Sequence, residues 1–150
     1  MKMTIKRFEE LTGAELYEIL RCRAEVFVVE QTCIYQDVDG FDAQALHLFL
    51  EEEGEIRAYI RVIEPGAKFA AASIGRVLTM PAFRRQGLAS RLMTRGIELA
   101  RELAPVIEIE AQAYLRAFYG SFGFRPVSDE FLLDGIPHIR MLLDCGPVAV

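Results

Sequence analysis

The chain has 150 residues, about the length of one ordinary domain, and its hydrophobic fraction of 52% is sufficient for a single core. Its mean hydropathy is +0.20, but no apolar run approaches the roughly 20 residues of a membrane-spanning helix, which excludes a helical membrane protein. The net charge of -5 and the pI of about 5.1 give no general reason to expect nucleic-acid binding.

The first residues and the cysteines indicate the compartment. The opening stretch MKMTIKRFEE carries charge where a secretory signal peptide needs apolar residues, which predicts a cytoplasmic protein. Cys22, Cys33 and Cys145 are odd in number, far apart and in no CxxC pair, which argues against a disulfide framework and against a zinc site. We therefore expect three free thiols.

The N-terminal part of the chain predicts a strand, a helix and a polar loop. MTIKRF is typical of a short strand, and Thr12 with Glu15 matches the sequence of a capping box. The apolar spacing predicts a helix from about Ala14 to Glu30, although VFVVEQ within it is equally compatible with a strand. The polar stretch QDVDGFD ends this element with a turn signal.

The middle of the chain predicts a hairpin, a strand and a second helix. ALHLFLEEEGEIRAYIRVIEPG contains two strand-like runs about the turn Glu53-Gly54, and ASIGRVLTM is a further strand that stops at Pro81. Apolar residues at helical spacing predict a helix from Gln86 to Leu103.

The C-terminal part begins with the strand PVIEIEAQ, in which Glu108, Glu110 and Gln112 share one face. A short helix in YLRAFYGSF and two strands in FRPVSDEFLLD and PHIRMLLD follow. The order β-α-β-β-β-α-β-α-β-β predicts an α/β fold with a mixed sheet of about seven strands flanked by helices, in a single domain over residues 1–150. An exposed edge strand near the C-terminus is compatible with either a monomer or a homodimer.

The stretch MPAFRRQGLASRLM, residues 80–93, predicts an anion site where a helix begins. The first amides of a helix have no intrahelical partners, and Gly87 lets a ligand approach the backbone. Residues 84–101 carry five arginines against one glutamate, a balance of +4 in an acidic chain. Without the P-loop Lys-Ser/Thr or a third glycine, this stretch predicts a phosphate-bearing ligand such as a nucleotide-tailed cofactor, or else only a turn with solvated charges.

These elements resemble the GNAT superfamily of acetyl-CoA-dependent N-acetyltransferases. The resemblance lies in IGRVLTMP, AFRRQGLASRLM and the later AFYGSFGF, and it covers nearly the whole chain. The blocks EVFVVEQ, DVDGFDAQALHL and DGIPHIRM make it more similar to the ElaA-like branch. It implies a sheet splayed between strands 73–79 and 106–112, acetyl-CoA as co-substrate without a metal, and an amine of a small molecule or peptide as acceptor.

The same resemblance implies a set of cofactor contacts. The strand end would bind the pantetheine arm, and the loop that follows would bind the pyrophosphate through its amides. Ala89 replaces the second glycine of the family pattern, and Gln112 stands where many members have a cofactor-binding asparagine. The implied contacts are Val77, Leu78 and Thr79 for pantetheine, Arg84, Arg85, Gln86, Gly87, Leu88, Ala89 and Ser90 for pyrophosphate, and Gln112.

Candidate catalytic residues follow from the resemblance and from proton chemistry. Tyr119 in FYGSFGF stands where many members place the acid that protonates the CoA thiolate, and a phenol with a pKa near 10 is protonated at neutral pH. The first candidate for the base is Glu110 because of its strand face, with a surface carboxylate as the alternative. Glu108, His47 and His138 are candidates for binding the acceptor, and either histidine could instead be the base.

Other functions stay open at this point. One is a catalytically silent CoA-binding regulatory or interaction module. Another is an acyl-homoserine-lactone synthase, which RAEVF and DVDGFDAQ faintly resemble. No metal-ligand spacing and no GxSxG elbow is present. Five carboxylates near the expected cleft suggest that a cationic amine is steered to it, namely Glu30, Asp37, Asp39, Glu108 and Glu110.

Overall fold

The computed structural model describes residues 1–146. Within them, the strands are β1 (Lys2–Arg7), β2 (Ala45–Glu52), β3 (Glu55–Ile63), β4 (Ser73–Thr79), β5 (Val106–Gln112), β6 (Arg125–Pro126), β7 (Phe131–Leu133) and β8 (Ile136–Asp144). The helices are α1 (Gly13–Arg23), α2 (Leu88–Arg101) and α3 (Arg116–Gly120). A π-helical segment, Ala24–Glu30, continues α1. The predicted domain end at residue 150 lies outside the described residues.

The strands form two antiparallel sheets that meet at one parallel bridge. The first sheet has the order β1-β2-β3-β4, and in the second β8 pairs with β5 on one edge and with β6 and β7 on the other. Ala72 and Ile107 form the bridge, where the Ala72 amide donates to the Val106 carbonyl at 3.2 Å and the Glu108 amide to the Ala72 carbonyl at 2.8 Å. Beyond it β4 and β5 separate, which confirms the predicted splay. Among residues 1–146 this bridge is the one parallel pairing, so the predicted mixed sheet is almost entirely antiparallel.

Helices cover both faces of the sheets, as the α/β prediction requires. On one face, α2 and α3 pack on β2 to β5 through a continuous apolar cluster that includes Leu92, Met93 and Ile60. A Cβ at Gly96 of α2 would lie 2.6 Å from Ile60 Cδ1, so this helix rests directly on the sheet. On the other face, α1 and the π-helical segment pack through a second cluster that includes Ile19 and Val26.

Local signals placed several element boundaries correctly. The capping box is formed, with the Glu15 amide 3.1 Å from Thr12 Oγ1 and the Thr12 amide 2.8 Å from Glu15 Oε1. The hairpin turn is at Glu53 and Gly54, both with positive φ as a type I′ turn demands. All three cysteines are free, as expected. In residues 1–146 no helix is long and apolar enough to cross a bilayer.

Two boundary predictions were wrong. Helix α2 begins at Leu88, not at Gln86, because Gly87 adopts a left-handed conformation with φ 73° just before it. FRPVSDEFLLD forms two short strands instead of one. Pro126 pairs with Met141, and Phe131 pairs with His138. The five residue steps from Pro126 to Phe131 therefore lie opposite only three steps along β8, and the residues between Pro126 and Phe131 bulge out of the ladder. Strand β8 therefore lies inside its sheet, and the short β6 and β7 form the edge.

Candidate functional site

A cavity of about 560 Å³ occupies the splay between β4 and β5. Residues 74–79 of β4 and Ile109, Glu110 and Gln112 of β5 form its walls. On one face of the sheet it reaches α2 and α3, and on the other face it reaches the π-helical segment and the loop at Cys33 and Tyr35. The cavity therefore passes through the sheet, and a molecule entering from one face can meet a molecule entering from the other.

The loop before α2 presents unpaired backbone amides at the edge of this cavity. Gly87 has φ 73° and Arg85 has φ 65°, and Arg91 is the first residue whose amide bonds back to the loop, to the Gly87 carbonyl at 3.1 Å. In the described chain, the amides of residues 85–90 donate to no backbone or side-chain acceptor. A Cβ built on Gly87 meets no atom within 4 Å, so the space above the loop is open. This arrangement is suited to bind a phosphate.

Arg84, the first residue of this loop, is tied across the splay. Its guanidinium makes two hydrogen bonds to the Glu30 carboxylate, of 2.6 and 2.7 Å, and Nε donates to the Thr79 carbonyl at 3.0 Å. These hydrogen bonds raise the pKa of Arg84 and lower the pKa of Glu30. Gln31, which follows Glu30 in the chain, exchanges side-chain amide hydrogen bonds of 3.4 and 3.2 Å with Gln112 of β5. The end of the π-helical segment is thereby attached to both sides of the splay.

Tyr119 lies in α3 and lines the cavity from the face that α2 covers. The residue is 7% exposed, and its ring makes edge contacts with Phe118 and Phe124 at centroid distances of 5.1 and 6.2 Å. Burial raises the pKa of Tyr119, so the hydroxyl is protonated at neutral pH. Among residues 1–146 this hydroxyl has no hydrogen-bond partner, so its proton is available to a molecule in the cavity.

The other side of the splay carries Glu110 and His138. Glu110 lines the cavity, with its carboxylate 3.3 Å from Lys68 Nζ. His138 also lines the cavity, and it is directly opposite Gln112 in the ladder of β5 and β8. Glu108 shares their strand face but binds Arg140 at 3.0 Å and lies outside the lining formed by the described residues.

His47 is far less accessible than the sequence suggested. It is 0% exposed in β2, with Nδ1 2.7 Å from the Tyr59 hydroxyl and Nε2 2.9 Å from the Asp42 carbonyl. Burial lowers its pKa and keeps the ring neutral. We therefore leave His47 out of the acceptor site. No three His, Cys, Asp or Glu side chains of the described part of the chain gather as metal ligands.

A buried ion network beside the cavity was not predicted. It joins three arginines from α1, β3 and β4 to three aspartates of QDVDGFD, and its members are Arg23, Arg61, Arg76, Asp37, Asp39 and Asp42. Arg76 has φ 51° at a bulge in β4 and binds Asp37 at 2.8 Å, and it lies over Phe27 and Tyr35 at 5.9 and 5.6 Å from the ring centroids. Since Phe27, Tyr35 and Arg76 line the cavity, the network fixes the shape of one wall.

The five carboxylates expected to steer a cationic acceptor are all ion-paired in the structure. Each of the five is held by a basic side chain: Glu30 by Arg84, Glu108 by Arg140, Glu110 by Lys68, and Asp37 and Asp39 by the buried network. Opposite charges at these distances cancel most of the field that the carboxylates would project into the cleft. Electrostatic steering of a cationic acceptor by these five side chains is therefore weaker than their number suggests, and it stays a prediction.

Comparison with known proteins gives several matches. A family model described as an acetyltransferase (GNAT) domain matches residues 11–145. Protein ElaA of Escherichia coli is 39% identical over 136 residues, which are 88% of this chain and 89% of that one. The crystal structure of ElaA matches with a TM-score of 0.87 and 36% identity, covering 94% of this chain and 97% of that chain.

Two further solved structures are similar. An acyl-CoA N-acyltransferase from Pseudomonas aeruginosa matches with a TM-score of 0.88 and 42% identity, covering 94% of this chain and 97% of that chain. A CoA-dependent acyl-homoserine lactone synthase matches with a TM-score of 0.77 over 95% of this chain and 82% of its own, but at 16% identity this likeness shows the fold alone.

Proposed function

The chain belongs to the GNAT acetyltransferase family and to its ElaA-like branch, and on this premise we propose that it transfers an acetyl group from acetyl-CoA to a primary amine of a small molecule or peptide. The observation that carries the proposal is the cavity through the splay of β4 and β5. Unpaired amides suited to a pyrophosphate lie at the edge of this cavity, and Tyr119, a potential proton donor, lines it. The proposal needs no metal.

The donor site is proposed from the loop and the end of β4. The amides of residues 85–90 bind the pyrophosphate, and the open space above Gly87 admits it close to the backbone. The end of β4, at Val77, Leu78 and Thr79, holds the pantetheine arm, with Gln112 across the splay. Because Arg84 already donates to the Thr79 carbonyl, pantetheine binding there requires Arg84 to share or release this acceptor.

The transfer step is proposed as a direct attack without an acyl-enzyme. The amine nitrogen uses its lone pair to form a bond to the thioester carbonyl carbon, and the carbon–sulfur bond breaks as the carbonyl reforms. Tyr119 donates its proton to the departing thiolate, a general-acid role that its protonated state permits. Glu110 is the general base that the sequence favours. Its carboxylate is ion-paired with Lys68 in this structure, so His138 is a second candidate for the general base.

The test is a screen for CoA release. Acetyl-CoA and longer acyl-CoAs are offered with alkylamines, polyamines, peptides and S-adenosylmethionine, and free thiol is measured. Release with acetyl-CoA and an amine, lost in the Tyr119→Phe variant, is the expected result. Acetyl-CoA binding without release for any acceptor would instead identify the silent CoA-binding module, and release only with S-adenosylmethionine would identify the lactone-synthase chemistry.

A further inference from the structure

We propose that His138 is the base that takes the proton from the acceptor ammonium group, an inference that rests on the proposed acetyl transfer. A primary alkylamine is protonated at neutral pH and has no lone pair until a base removes one proton. The base has to be in the cavity, on the side from which the acceptor enters, and it has to present an unoccupied lone pair. The geometry of His138 meets each of these conditions.

The hydrogen bond of its ring determines which nitrogen is free. His138 Nδ1 lies 2.7 Å from the carbonyl oxygen of Ile136, and a carbonyl can only accept. Nδ1 therefore carries the hydrogen, and in the neutral ring Nε2 has none and exposes its lone pair. Among the described residues Nε2 has no hydrogen-bond partner. The backbone thus holds the ring in the tautomer that a base requires.

The strand register places this ring on the sheet face opposite α2, which we take as the acceptor side because the proposed donor loop leads into α2. His138 pairs with Gln112 of β5 and with Phe131 of β7, so its side chain shares a sheet face with both partners. The Phe131 ring lies 6.2 Å from the imidazole centroid at an interplanar angle of 30°. This face is the one that Gln31, just after the π-helical segment, reaches, opposite the face from which Tyr119 lines the cavity. Base and acid therefore approach the thioester from opposite sides.

The two alternative bases meet fewer of these conditions. Both ring nitrogens of His47 are already hydrogen-bonded, and the residue is fully buried away from the cavity lining. The Glu110 carboxylate is already paired with the Lys68 ammonium group, 3.3 Å from Oε1 to Nζ, so an acceptor ammonium group would have to share this carboxylate with Lys68. No cationic side chain of the described residues is paired with His138.

The proton balance of the step closes. Nε2 of His138 takes one proton from the ammonium group, directly or through one water, and the nitrogen lone pair then forms the bond to the carbonyl carbon. The second proton leaves the nitrogen when the tetrahedral intermediate collapses, and it restores through solvent the proton that Tyr119 has given to the thiolate. The imidazolium of His138 then returns its proton to bulk water, so the net products are the amide, free CoA and one proton.

The experiment compares two isomeric acceptors that differ in protonation. Phenethylamine is an ammonium ion at neutral pH, whereas 4-ethylaniline has the same atoms but is already unprotonated. The test variant is His138→Asn, in which the side-chain amide NH₂ can keep the hydrogen bond to Ile136 while the basic nitrogen is lost. His138→Gln is the second variant, and Glu110→Gln tests the competing base. CoA release and acetyl-CoA binding are measured for each.

We expect His138→Asn to lower kcat/KM for phenethylamine by about 100-fold or more, the range of a lost general base, and for 4-ethylaniline by less than about fivefold. Activity with 4-ethylaniline shows that the variant is folded. Equal losses with both acceptors in both variants, or a loss with phenethylamine below about threefold, would overturn the role of His138. An alkylamine-specific loss in Glu110→Gln alone would assign the base to Glu110. If the wild-type protein releases no CoA with any amine, the proposed acetyl transfer itself is refuted.

Discussion

Replacing Asp42 by asparagine should destabilise the protein by about 3 kcal/mol, because this carboxylate holds two buried guanidinium groups. Asp42 is 7% exposed, and it accepts from Arg23 at 2.6 Å and from Arg61 at 2.9 Å, which are 0% and 1% exposed. Removing one partner of a buried ion pair costs about 3–5 kcal/mol. Arg23 keeps Asp37 and Arg61 keeps Asp39, so the loss lies at the lower end of that range.

For a chain of this length, each kcal/mol lowers Tm by about 2–4 °C, so Asp42→Asn should melt about 6–12 °C below the wild-type protein. Circular dichroism during heating at neutral pH measures this shift. Glu98→Gln is the matched control, because Glu98 is 56% exposed in its pair with Arg95 and its loss should cost less than about 1 kcal/mol. A Tm of Asp42→Asn no lower than that of the control would refute the stabilising role of the network.

Four further predictions concern the site and pH. Tyr119→Phe should lower kcat by about 100-fold with acetyl-CoA affinity kept, and a fall below about threefold would contradict the acid role. Gly87→Val should weaken acetyl-CoA binding by at least about 100-fold in calorimetry, because a bulky side chain fills the space of the pyrophosphate, whereas Gly13→Ala, at a glycine with ordinary φ, should leave it unchanged. Arg85→Ala should weaken binding only about two- to fivefold, since the side chain contributes potential and the amides make the contacts; a loss as large as that of Gly87→Val would show otherwise. Burial would raise the pKa of Asp42, but Arg23 and Arg61 outweigh burial and lower it. The stability that the Asp42 carboxylate contributes is therefore present above its unfolded pKa and is lost as the pH falls below about 4. When Tm is measured against decreasing pH, Asp42→Asn should lose less Tm than the wild-type protein.

Features that depend on nearby residues were predictable from the sequence. The capping box at Thr12, the alternation along β5 and the strands within ASIGRVLTM and PVIEIEAQ are all set by short-range propensity and periodicity. The left-handed conformation of Gly87 is also a local matter, but apolar spacing does not fix where the first turn of a helix begins, and the helix was begun two residues early.

Features that depend on distant contacts were not predictable. Arg84 binds Glu30 across a separation of 54 residues, and Arg76 reaches Asp39 across 37. A single sequence shows the charges of such residues but not their pairing, so it did not show that each of the five carboxylates has a basic partner. The π-helical segment 24–30 has only 7 residues, too few for apolar periodicity to distinguish it from an α-helix.

The bridge at Ala72 and Ile107 has a mechanical consequence. In the described chain, two main-chain hydrogen bonds at Ala72 connect the sheets, whereas every strand within a sheet is held by its own ladder. Each sheet is therefore stiff, and the separation of the two sheets is a soft coordinate governed by side-chain packing. Widening the splay costs few backbone hydrogen bonds, so the width of the cleft responds to whatever molecule fills it.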